Sequence, residues 1–167
     1  MSKFDSRIQV DPMDVSVLRH KILYASDMMG NILKHSGQCF ILMECNDFSP
    51  GVFDAEGRLL SVKTWMPLHV AVAKEQVRPI VERFKDNIFP GDVFLANDPY
   101  LASGSHLPDW SLIRPVFHED ELMFFTLLKG HMQDTGGAFP GGYYPGAYDI
   151  HSEGLRIDYV KIFERGE

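Results

Sequence analysis

Cysteine is scarce: Cys39 and Cys45 are the only two, and they do not form a C-x-x-C pair. That excludes a zinc knuckle and argues against a disulfide framework. No apolar run approaches the length of a membrane span. The first residues, with Lys3, Asp5 and Arg7 among them, lack a signal-peptide core. Basic clusters are missing as well. Lysines and arginines are scattered, and a net charge of -7 with a pI near 5.4 argues against nucleic acid or an anionic membrane as partner. Neither a G-x-G-x-x-G nor a P-loop occurs, so the sequence offers no nucleotide site. The expectation is a soluble, cytoplasmic chain. Its 167 residues suit one domain, and 45% hydrophobic content suffices for a core.

What the chain does carry is concentrated between Asn97 and Asp134. Two apolar runs, Trp110 to Phe117 and Leu122 to Lys129, flank His118-Glu119-Asp120-Glu121, which is a hairpin signal. With the turn near Glu119-Asp120, Asp109 falls opposite Gly130. A one-residue change in loop length puts it opposite His131. Either register brings together the two ends of a hairpin that are 22 residues apart in sequence. His106, three residues before Asp109, lies just outside the same end. Two imidazoles and a carboxylate converging there make a candidate divalent-metal site, weighed against the commoner surface or core roles of such residues.

The rest of the chain reads as α+β: an N-terminal amphipathic helix, then antiparallel hairpins and one further helix, with a mixed sheet. Residues 1 to 10 read as a poorly ordered arm. Asp11 caps a helix that Pro12 opens, Leu18, Ile22, Ala25, Met29 and Ile32 form its apolar stripe, and Gly37 closes it. His20 and His35 fall on its surface. Cys39 to Glu44 is strand-like, Gly51 to Asp54 resumes the strand pattern, Ala55 to Arg58 turns, and Leu59 to Val62 returns. Val70, Ala73, Val77, Ile80 and Phe84 share one face of the further helix, which Pro79 kinks or breaks. Val93 to Ala96 is a short buried strand, and Leu155 to Phe163 alternates as another. The glycine- and proline-rich run between Gly136 and Gly146 carries Phe139, Tyr143 and Tyr144, more aromatic than a plain linker and better suited to facing a ligand. Glu44 and Asp47 read either as a solvated carboxylate and an Asx turn or as a further metal ligand. The residues alone favour the first.

Four stretches together, ILMECNDFSPGVFD (41–54), GDVFLANDPYLASGSHLPD (91–109), GHMQDTGG (130–137) and EGLRIDYVK (153–161), resemble the hydantoinase B/oxoprolinase family. The resemblance covers nearly the whole chain and corresponds to the N-terminal part of such a subunit, either naturally short or a fragment. It implies work beside a hydantoinase A-type subunit that binds ATP, in a hetero-oligomer. The reaction is ring-opening hydrolysis of a small cyclic amide (hydantoin, 5-oxoproline or lactam), with ketone carboxylation, as for acetone or acetophenone, as the alternative. It also implies a divalent ion (manganese, zinc or iron) held by His106, Asp109, His131 and Asp47, with Glu44 as the less secure fourth ligand. Where many relatives have a second His after the glycine-histidine pair, this chain has Met132. Asp134 is expected either to orient His131 or to cap the Thr135-Gly136 turn. A different class stays open: a non-catalytic metal-binding or assembly module.

Overall fold

Residues 10–63 and 65–167 are described here by a computed structural model. All but Val10 of the arm expected over residues 1 to 10 lies outside the described residues. Helix α1 spans Pro12–Ser36, with the Asp11 carboxylate accepting from the Met13 amide and Gly37 at its C-terminal end. A one-turn helix α2 (Phe40–Met43) follows where a strand was expected. The alternation there is too short to hold a strand without a partner, and Cys39 and Phe40 carbonyls instead accept from Met43 and Glu44. Strands β1 (Phe48–Asp54) and β2 (Leu59–Val62) form the first hairpin. The further helix is divided into α3 (Pro67–Ala73) and α4 (Arg78–Phe84), so the Pro79 region is a break rather than a kink. Strands β3 (Val93–Ala96), β4 (Asp109–His118), β5 (Glu121–His131) and β6 (Val160–Phe163) complete the set.

The six strands make one sheet in the order β2-β1-β5-β4-β3-β6, and every pairing is antiparallel where a mixed sheet was expected. Short turns join β1 to β2 and β4 to β5, while β5 returns beside β1 and β6 beside β3 across long stretches of sequence, again antiparallel. The last strand begins at Val160 rather than Leu155; the preceding residues spend their backbone groups on Asn97, Asp98 and Thr135. One sheet face carries the core, with Phe53, Phe94, Ile113, Phe125 and Leu127 fully buried beside Val77 and Ile80. On α1, the buried positions are Ser26 and Gly30, not the large apolar stripe: Leu18 and Ile32 are exposed. Only a glycine at position 30 admits the Trp65 and Phe48 rings, while Ser26 donates to the Ser61 hydroxyl at 3.1 Å. His20 and His35 are exposed. Among the described residues no helix is long and apolar enough to cross a membrane.

Candidate metal centre

The register decides the site. In β4–β5, Asp109 lies opposite His131, the alternative that needs an extra residue in the ladder, and an irregularity between Val116 and Phe117 supplies it. On the other side of β5, Phe48 pairs with Gly130, and the His131 amide donates to the Asp47 carbonyl, which carries the ladder one residue further. Directly opposed residues share a sheet face. Asp47, His131 and Asp109 therefore form a row across the ends of three adjacent strands, on the face that holds the core. Behind that row lies a second, Ser49, Lys129 and Ser111, and behind that the apolar Leu127 and Ile113. Asn46, at φ 53, is the left-handed residue that turns the chain from α2 into β1.

Two further imidazoles close on this row. His106 comes from the loop before β4, where its carbonyl accepts from the Asp109 amide and buried Leu107 anchors the turn. Its Nε2 is 2.9 Å from Asp109 Oδ1, and His131 Nδ1 is 3.3 Å from the same oxygen and 3.9 Å from Asp47 Oδ2. His69, on α3, approaches from below: its Nε2 is 3.2 Å from Asp109 Oδ2 and 3.7 Å from Asp47 Oδ1. The Ser105 hydroxyl also donates to Asp109 Oδ2. Burial pushes the Asp109 carboxyl up, but the facing imidazoles of His106, His131 and His69 and the Ser105 hydroxyl outweigh it and hold the group well below the usual carboxylate range. It is an anion at neutral pH.

The donor set suits a divalent ion. Donors about 2.0–2.2 Å from one ion stand roughly 3–3.5 Å apart, and the separations of His106 and His131 from Asp109 match. Asp47 Oδ1 and His131 Nδ1 are buried with no hydrogen-bond partner, which marks this as a place where polar atoms await a ligand. His106, Asp109 and His131 form a group whose donor atoms lie within 4.8 Å of one another. The Tyr143 ring covers the open side, stacked at 9° on His131 with centroids 5.8 Å apart and 5.6 Å from His106. Gly142, at φ 66, holds that loop down: a Cβ there would strike the Pro108 ring.

Two sequence candidates fall elsewhere. Glu44 is exposed at the C-terminal cap of α2. Asp134 is exposed and accepts from the Gly136 amide at 2.8 Å, so it caps the turn instead of orienting His131. The strand ends at His131 and the chain turns away, which removes Asp134 from the row. Sequence reasoning missed His69, whose place depends on how α3 lies on the sheet. The Met66-Pro67 start of that helix was visible, but nothing in its spacing points to His106 or His131.

The family profile of hydantoinase B/oxoprolinase matches residues 11–167. The chain belongs to the hydantoinase B/oxoprolinase family. It is 34% identical over 158 residues to the beta subunit of caprolactamase from Pseudomonas jessenii, covering 95% of this chain and 27% of that one. With 5-oxoprolinase of Dictyostelium discoideum it shares 35% identity over 158 residues, covering 95% and 12%. The fold matches the crystal structure of the ATP-dependent caprolactamase of Pseudomonas jessenii with a TM-score of 0.86 over 96% of this chain and 28% of that one, at 34% identity. A nucleotide-free acetone carboxylase shares the fold, with a TM-score of 0.76 at 23% identity over 93% of this chain and 20% of that one. The chain thus spans about a quarter or less of the length of these relatives.

Proposed function

We propose that this family member supplies the divalent-metal centre of an ATP-dependent amidohydrolase that opens a small cyclic amide of the hydantoin, 5-oxoproline or lactam kind. The observation that carries the reading is the cross-strand row Asp47–His131–Asp109 with His106 beside it, two of whose buried polar atoms lack partners. The ATP-dependent caprolactamase and the 5-oxoprolinase among its relatives support the substrate class. Residues His106, Asp109, His131 and Asp47 would hold the ion; two imidazoles and two carboxylates suit manganese, zinc or iron. Bound there, such an ion supplies Lewis acidity to a carbonyl oxygen and acidifies water.

The chain's own residues account for the remaining requirements. Asp109 is ionised at neutral pH and presents Oδ1 between two imidazoles. His106 is the most exposed of the four donor residues, at 25% against 19% for Asp47, so substrate enters on its side, against the Tyr143 ring. The amide bond of such rings is resonance-stabilised, so hydrolysis requires activation, and the sequence has no motif to bind ATP. Nucleotide binding is therefore assigned to a hydantoinase A-type partner subunit in a hetero-oligomer, as the subunit naming of caprolactamase suggests.

ATP-dependent turnover of hydantoin, 5-oxoproline and caprolactam by the protein with such a partner is the test, with acetone plus bicarbonate as the competing arm. Ring opening that requires both ATP and metal is expected. Turnover of the ketone alone would replace the reading with a carboxylase, and metal-loaded protein inactive in every arm would leave a binding module.

A further inference from the structure

His69 is the most enclosed imidazole of the site, 1% exposed, and it belongs to none of the motifs that locate the other ligands. The two carboxylates divide their oxygens between it and the other histidines. Asp109 turns Oδ1 to His106 and His131 and Oδ2 to His69. Asp47 likewise turns Oδ2 to His131 and Oδ1 to His69. His69 therefore stands on the far side of both carboxylates from the open edge, where the His106 side chain is 25% exposed. A bare nitrogen lone pair facing two carboxylate oxygens would be repelled, so Nε2 carries the proton.

The other ring nitrogen, Nδ1, is buried without a partner. Burying an unpaired polar atom costs about 1–3 kcal/mol, so an apolar side chain of similar size would suit the core better. The imidazole is thus not explained by packing. We propose that His69 is the positioning residue of the metal centre: from the buried side its Nε2 holds Asp109 Oδ2, 3.2 Å away, and so aims Oδ1 at the position between His106 and His131. This rests on the metal reading above. Partners of ligating carboxylates act in this way, and losing one weakens metal binding by about 10–100-fold.

Glutamine places an amide N–H near the position of an imidazole Nε2, whereas asparagine places it near Nδ1. Titrating the purified protein with Co²⁺ and Mn²⁺, and recording the Co²⁺ ligand-field bands at saturation, separates the roles. His69→Asn is expected to weaken both ions by about 10–100-fold, and His69→Gln to stay within about threefold of the unsubstituted protein. Both should keep its band positions and stoichiometry. Equal affinity for His69→Asn and the unsubstituted protein would show that His69 holds nothing. Shifted bands in His69→Gln would make His69 a ligand and overturn the proposal. Should His69→Asn fail to fold, His69→Gln decides alone: tight binding with unshifted bands supports the role, and a loss beyond tenfold or shifted bands ends it. If the unsubstituted protein takes up neither ion, the metal reading fails instead.

Discussion

Two buried polar clusters meet at Leu107, and they differ in how completely they are satisfied. In the first, the Asn97 amide donates to the carbonyls of Leu107 and Leu155, each at 2.8 Å, and its oxygen accepts from the Ile157 amide at 2.7 Å. Next to it, Asp98 accepts from the amides of Tyr100 and Leu101 and from Arg156. Every polar atom of these two side chains has a partner inside the fold. In the second cluster, Asp47 Oδ1, His69 Nδ1 and His131 Nδ1 have none. A closed network fixes a chain path, and an open one leaves donors for something the chain lacks. The closed cluster ties β3, the His106 turn and the approach to β6 together, and so sets where the open cluster can form.

The sharpest way to break this contrast is at Asp109, the anion shared by three imidazoles. Asp109→Asn and His106→Ala are each expected to abolish stoichiometric metal, read by elemental analysis of purified protein. The fold should survive, because the row sits at strand ends and the apolar core, at Leu127 and Ile113, begins four residues further on. Metal retained in both variants would sink the ligand assignment. Unfolding of both without metal would make the ion structural.

Asn97→Ala should do the reverse. It strands two buried carbonyls and one amide, a cost of about 3–5 kcal/mol in denaturant unfolding. A loss under about 1 kcal/mol would mean that this cluster does not hold the loop.

These variants also separate what the sequence could reveal from what it could not. The hairpin, and with it His106, Asp109 and His131 at one end, was readable because turn position and period-2 alternation are local. The choice between two registers was not, since an irregularity at Val116/Phe117 decides it. The residues leave Glu44 and Asp47 both as candidates, and only the family resemblance prefers Asp47 as a ligand; its place beside His131 depends on β1 pairing with β5 across a long sequence gap. The division of the second helix was legible at Pro79, whereas the place of His69 depends on packing, which no spacing rule reports. The α1 stripe misled for a related reason: the contact uses small residues, Gly30 against Trp65 and Phe48 and Ser26 against Ser61.

A smaller effect is expected in acid. Burial raises the Asp92 and Asp98 carboxyls, but it is outweighed. The amides of Arg165 and Phe89 with Lys161, and those of Leu101 and Tyr100 with Arg156, hold both below the usual carboxylate value. A folded-state pKa below the unfolded one, about 3.9, gives stability that is complete above that pH and is lost as pH falls through the folded value. Denaturant melts between pH 6 and pH 2 should show that decline. Asp98→Asn should be less stable by about 1–3 kcal/mol at pH 7, with a shallower acid decline. An unchanged decline would exclude Asp98 as a source.

The smallest expected effects fall on the two acids that sequence placed at the site and the fold does not. Glu44→Gln alters an exposed helix cap with no part in the imidazole–carboxylate row. Asp134→Asn keeps an oxygen that can accept from the Gly136 amide, so even the turn is conserved. Both should fall within about 0.5 kcal/mol of the unsubstituted protein in stability and bind Mn²⁺ with unchanged affinity. The comparison with Asp109→Asn is direct, since each is a carboxylate-to-amide change that removes one charge from the same chain. A long-range charge effect would weaken the ion in all three, and more so at low salt. Loss confined to Asp109→Asn, insensitive to ionic strength, is what direct ligation requires. Weakened Mn²⁺ binding in Asp134→Asn would return that residue to the site.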